Sequence, residues 1–282
     1  MQLMHLADVP IDPRNRVYSY SRLRAVIGAT ILALVAAGAF AFAWVKGAWP
    51  LYYVAAVMTF CLLIYQRLIL GRFRSSNWLL RTTDDGLFVQ FRSYLNHHFD
   101  VQDITVVFLP YSEVRSARMV KERQEIPDRD RRSATTTTTR RILELELAGK
   151  NTELAAALAA ERERVFGKIR PGRQRISTRY QHFPVRLVSP TLLRIEWGVV
   201  PRIQTLLDAL TRHTLVQAAG ETSKSYANLA PLSKEEQETR LLELAESGDM
   251  IGAIALARRL YAYDLTEAKQ FVEGLISRKP IH

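Results

Sequence analysis

The side chains best suited to chemistry are few and scattered. His97 and His98 adjoin, with Asp100 two positions on. A helical metal site needs ligands about four apart, and a hairpin site needs a second cluster. This run offers neither, so it reads as a polar loop. Asp128 and Asp130 fall in IPDRDRRSATTTTTRR, residues 126–141, whose acid–base mixture fits a mobile hairpin tip, although its threonine run suits a strand edge. Cys61 is the single cysteine, which rules out an intramolecular disulfide. It lies in an apolar run, where it serves as a small hydrophobe. The sequence has no phosphate-binding glycine loop and no nucleophile elbow. The expectation is a protein that is not an enzyme and holds no cofactor and no metal. An enzyme whose site folding assembles from distant residues is the rival reading.

Charge is more informative. The net charge is +11 over 282 residues, which favours an anionic neighbour. It is unevenly spread: +6 in residues 1–74, +7 in 75–215 and −2 in 216–282. Residues 167–180, GKIRPGRQRISTRY, hold Lys168, Arg170, Arg173, Arg175 and Arg179 and no acid. Together with Arg72 and Arg74 they form a candidate surface for anionic lipid headgroups. A solvated loop kept basic for solubility is the competing reading. No nucleic acid is expected as a partner, because only Tyr180 and Phe183 stand near enough to act as stacking platforms.

These residues must be positioned by something, and the chain opens with a membrane pattern. Residues 25–44 are twenty residues without a charge. At about 1.5 Å per residue such a helix matches a hydrocarbon core of about 30 Å. Residues 50–70 form a second, weaker span in which Arg67 can snorkel. A buried soluble helix pair and a cleaved signal peptide ending at Ala41-Phe42-Ala43 are rival readings. The apolar length and the immediate second span argue against both. Trp44 and Trp49 sit where interfacial belt residues belong, Lys46 and Gly47 make the wet tip, and Pro50 opens the return helix. Arg14, Arg16, Arg22 and Arg24 precede the first span, and Arg67, Arg72, Arg74 and Arg81 end or follow the second. Only Lys46 lies between, so both termini are expected in the cytoplasm. Gly28, Ala29, Ala33, Ala36, Ala37 and Gly38 are expected to let the two helices pack closely.

Short strands follow, at 78–83, 87–91, 104–109, 114–120, 142–147, 184–187 and 192–197, with a turn at Asp84-Asp85-Gly86. Residues 152–166 are helical by composition, and 201–212 read as an amphipathic helix with Ile203, Leu206, Leu207 and Leu210 on one face. The pieces TTDDGLFVQF, LPYSEVRSARMV, ILELELAG and IQTLLDAL, in this order across residues 78–212, resemble the bacterial pleckstrin-homology-like domains found beside membrane helices. That resemblance implies a small β-barrel or sandwich with a capping helix. Phosphoinositide binding is not implied, and the helix at 152–166 with its basic sequel departs from the pattern.

The tail reads as three helices. Capping boxes at Ser233–Glu236 and Asp264–Glu267 open the first and third, and Asp249 precedes a second with Ile251, Ile254, Leu256 and Leu260 apolar. The run GAIALARRLYAYDLTEAKQFVEG is similar to the helical hairpin of the bacterial ribosomal stalk protein C-terminal domain. Ala253-Ile254, Arg258, Leu265, Glu267-Ala268-Lys269 and Val272-Glu273 carry the likeness. Ala262-Tyr263-Asp264 replace its Gly-Leu-Gly turn, and Ala255 and Thr266 stand where its factor-binding lysines do. What the likeness implies is a compact pair of helices that docks a protein, through Arg258, Arg259, Tyr263, Lys269 and Phe271.

The expected architecture is an α+β membrane protein. A cytoplasmic basic segment (1–24) leads into a transmembrane hairpin (25–72). A pleckstrin-homology-like β domain with a helical and basic insertion (75–215), a linker (216–232) and a helical module (233–278) follow. The expected role is a scaffold or regulator in the bacterial cytoplasmic membrane, with the lipid bilayer and a protein partner or second copy as partners. An accessory subunit of a membrane transporter or enzyme is the alternative.

Overall fold

A computed structural model describes residues 1–96, 99, 102–127, 135–163, 182–225, 229, 232–246 and 250–278. The fold is mixed α+β, with two apolar helices near the N-terminus followed by sheets. In chain order the elements begin with β1 (Gln2–His5), β2 (Arg16–Tyr18), α1 (Arg22–Lys46), α2 (Pro50–Gly71), β3 (Leu80–Thr82), β4 (Gly86–Gln90) and β5 (Ile104–Pro110). Then come β6 (Val114–Pro127), β7 (Thr135–Leu147), α3 (Thr152–Glu163), β8 (Val185–Ser189), β9 (Leu192–Glu196) and α4 (Ile203–Leu210). The chain closes with β10 (Leu215–Val216), β11 (Gly220–Ser225), α5 (Lys234–Glu246), α6 (Met250–Tyr261) and α7 (Leu265–Arg278).

The first sheet has the order β1-β5-β4-β3-β2 and is antiparallel throughout. Its two edge strands come from the basic N-terminal segment, residues 1–24, which is thereby a structural part of the sheet. Its strands are only four and three residues long, too short to show a period of two. Every residue of β4 is buried: Leu87 and Val89 enter the main core, while Phe88 packs with Val9, Trp78 and Val106 on the other face. Gly86 starts β4 because nothing larger fits. A Cβ there would lie 2.4 Å from the Leu109 carbonyl oxygen.

The second sheet has the order β10-β6-β7-β9-β8, with β11 also pairing to β6. Both sheets, α3 and α4 contribute to one hydrophobic core. The sheets are open, and no barrel closes among the described residues, which corrects the barrel expectation. The amphipathic α4 buries Ile203, Leu206, Leu207 and Leu210, as its spacing requires, at about 1.5–3 kcal/mol for each aliphatic side chain. Helix α3 is more than an appendage, since Leu154 and Leu158 are core residues.

Two further expectations change. The threonine run from Thr135 onward is strand, not loop, because β-branched residues suit a pleated backbone. Residues 215–225 hold β10 and β11, both parallel to β6, where a linker was expected.

The chain divides into two compact units. One comprises 1–119 with 143–218, and the other 120–142 with 219–282. The second unit has its own core, built from Leu229, Leu241, Leu244, Ala253, Leu256, Ala257, Ala268, Val272 and Leu275. Both anticipated capping boxes form: Glu236 N–H donates to Ser233 Oγ at 3.3 Å, and Glu267 N–H donates to Asp264 Oδ1 at 2.8 Å. Ile251, one of the apolar residues of α6, is exposed.

Candidate membrane anchor and docking surfaces

Helices α1 and α2 are long and apolar enough to cross a membrane. Their apolar windows are 6% and 11% buried, so these are not core helices shielded by protein. The sheltered residues of α1 are Ala25, Ala29, Leu32, Ala36, Ala39 and Ala43, spaced alternately four and three apart, and the element they face is α2. From α2 come Leu51, Ala55, Met58, Leu62 and Ile69. That alternation is the seam of a left-handed helix pair, and alanine lets the backbones approach. The close-packing expectation therefore holds for Ala29 and Ala36. Ala33 and Ala37 are exposed, and a Cβ on Gly28 or Gly38 would meet nothing within 4 Å. Inside α2 the Thr59 hydroxyl donates to the Ala55 carbonyl at 2.9 Å, which satisfies that hydroxyl within the helix.

At the tip Gly47 adopts φ 66°, the left-handed conformation that ends α1, and Pro50 starts α2. Trp44 and Trp49 are 74% and 76% exposed on either side of this turn. At the opposite end the two ends of the hairpin are clamped together beside the first sheet. Arg72 donates through Nη1 to the Ser21 carbonyl at 3.0 Å and through Nη2 to the Tyr94 hydroxyl at 2.8 Å. Buried Asn77 donates to the carbonyls of Tyr20 and Arg72. The rings of Tyr20 and Tyr94 lie 4.9 Å apart. Burial, then the nearby Glu196 carboxylate, pushes the Tyr20 phenol far above the ordinary tyrosine range.

The sequence reading missed two buried ion networks in the first unit. Arg92 pairs with Glu161 on α3 and with Asp103 ahead of β5. Burial works against its charge, but the two carboxylates outweigh that and hold it above the ordinary arginine value. Glu144 on β7 is buried between Arg118 on β6 and Arg194 on β9, with both contacts at 2.6 Å. These networks join residues far apart in sequence, so no local pattern announces them.

Comparison with family models, with curated proteins and with solved structures returned no match.

The anticipated site residues fare differently. Arg72 is half-buried in the bracket described above, and Arg74 is exposed. Lys168, Arg170, Arg173, Arg175 and Arg179 lie outside the described residues, as do His97, His98, Asp100, Asp128 and Asp130. Among the described residues no group of three metal-ligating side chains occurs. In the helical module the structure brings Tyr263 and Phe271 together with Tyr261, at ring separations of 5.1–5.4 Å. Arg258 and Arg259 are exposed, and Lys269 lies 3.8 Å from Glu273. Tyr261 carries the cluster inward with its hydroxyl buried and unpartnered.

Proposed function

We propose that this chain is a membrane-anchored, non-enzymatic scaffold that holds a two-sheet domain and a helical docking module at the cytoplasmic face of a bacterial membrane. The observation that carries the reading is the pairing of β2 with β3, in which Tyr18 stands opposite Leu80. These strands bracket the hairpin, so both of its ends belong to one sheet and lie on one side of any membrane the hairpin crosses. The arginines choose the side. Arg22, Arg24, Arg67, Arg72 and Arg74 crowd the base, while the tip has only Lys46, which favours a cytoplasmic base. The exposed apolar faces of α1 and α2 need acyl chains or another apolar cover.

The pleckstrin-homology-like reading of the first unit is supported by the order of its elements: strands, a proline-led strand, a central strand and a closing amphipathic helix. The docking role of the tail draws support from the aromatic group of Tyr261, Tyr263 and Phe271 beside exposed Arg258. A second reading, an accessory subunit of a transporter or membrane enzyme, is favoured by the large side chains that α1 and α2 expose, Phe40, Phe42 and Phe60 among them.

Thiol labelling of intact cells tests the topology. With Cys61→Ala as background, Lys46→Cys is expected to react with an impermeant maleimide from outside. Ser277→Cys is expected to react only after permeabilisation. The reverse pattern overturns the arrangement. Purification in mild detergent with identification of co-purifying proteins separates the scaffold from the accessory subunit, which travels with a single stoichiometric membrane partner.

A further inference from the structure

Arg72 uses only part of its hydrogen-bonding capacity. A guanidinium carries five N–H donors. Among the described residues its acceptors are the Ser21 carbonyl and the Tyr94 hydroxyl, both neutral, and the Tyr94 ring lies 4.7 Å from its central carbon. No carboxylate is near in sequence either, because residues 13–83 contain nine Lys/Arg and no Asp/Glu. The side chain is only half-buried.

Its surroundings match the boundary between headgroups and acyl chains. Leu23, Leu70 and Phe73 are exposed at the base of the hairpin and alternate in the chain with Arg22, Arg24, Arg72 and Arg74. The backbone of Arg72 is itself held, since Asn77 ties its carbonyl to that of Tyr20. A cation fixed in this way loses little freedom when an anion arrives.

We propose that Arg72, with exposed Arg22 and Arg24, forms a site for the phosphodiester of an anionic phospholipid. A guanidinium fork matches two phosphate oxygens. Zwitterionic lipids offer the same phosphodiester, so the excess of Lys/Arg over Asp/Glu in residues 13–83 is what selects a lipid with net negative charge. This inference rests on the membrane reading above and adds the class of lipid and the residues that hold it.

The test uses the full-length protein. Flotation with vesicles and resistance to carbonate extraction come first, because failure there overturns the membrane reading itself. The protein in mild detergent is then titrated with phosphatidylglycerol, phosphatidylcholine or inorganic phosphate, and retained molecules are counted by native mass spectrometry. Phosphatidylglycerol is expected to be retained in preference to phosphatidylcholine. Arg72→Gln and Arg24→Gln are each expected to weaken its retention about fivefold. Arg202→Gln, exposed just ahead of α4, is expected to change nothing. Arg24→Gln keeps the test sharp if Arg72→Gln loosens the hairpin base. Equal retention of the two lipids, or retention untouched in both arginine variants, overturns the site while leaving the anchor standing. Displacement of the lipid by millimolar inorganic phosphate overturns the lipid assignment in favour of a soluble anion.

Discussion

Arg72, which ends the second apolar helix, donates to the carbonyl of Ser21, the residue that caps the first, across 51 positions at 3.0 Å. The two ends of the hairpin are thereby tied to each other before either is tied to the sheet.

Asn77 completes that tie, and its removal is expected to be costly. Asn77 is 3% exposed, and Asn77→Ala leaves the carbonyls of Tyr20 and Arg72 without their shared donor. A loss of about 1–3 kcal/mol is expected. A lowered thermal midpoint in detergent, with earlier proteolysis near residue 76, is the measurement; an unchanged midpoint contradicts the clamped base.

The Arg92 network offers a contrast between breaking and replacing. Glu161→Ala is expected to destabilise by about 3–5 kcal/mol, because it takes a carboxylate from a buried guanidinium. The triple change Arg92→Met, Asp103→Asn, Glu161→Leu is expected to recover most of that loss, since the three charges are removed together. Denaturant unfolding of the three proteins checks the order.

Alkaline pH should weaken the first unit. The phenols of Tyr18, Tyr20 and Tyr111 are all pushed up, with burial the leading cause, and Tyr111 reaches about 12. Below pH 10 both folded and unfolded chains keep the Tyr111 proton, and its contribution is whole. Between pH 10 and about 12 the unfolded chain ionises first, so stability falls as pH rises. Tyr111→Phe forfeits the 2.9 Å bond to the Thr83 carbonyl, about 1 kcal/mol at pH 8, but its alkaline decline should be shallower. Thermal melts from pH 8 to 11.5 distinguish the slopes.

Gly86→Ala is expected to disrupt the pairing of β4 with β5. The new methyl group would meet backbone atoms of Leu109 and Pro110, neither of which is a flexible side-chain end. A cost of about 1–3 kcal/mol is expected. Faster amide exchange at Val107 and Leu109 than in the parent protein is the local signature.

Much of the architecture was legible because it repeats locally. Twenty uncharged residues, the face of Ile203, Leu206, Leu207 and Leu210, and the two capping boxes each declare themselves within one short window. What escaped depends on distant partners. β1 and β2 owe their strand conformation to β5 and β3, and Thr135–Leu147 extends because β6 and β9 flank it. The exposure of Ile251 was not legible either: the sequence marks the apolar positions of a helix, but not which of them the neighbours α5 and α7 cover. Arg72 stands out in the sequence only as a basic residue after the second apolar run, and its bracket to Ser21 and Tyr94 has no counterpart in spacing.

The pairing of β2 with β3 also sets an order of events during synthesis. β1 and β2 leave the ribosome before the hairpin, and the strands they join come after it. If α1 and α2 insert into a bilayer, the first sheet can assemble only once both have been delivered to it and the chain has returned. Insertion then acts as a checkpoint. A chain whose hairpin fails to integrate keeps two unpaired strand edges, the kind of surface that chaperones and proteases inspect.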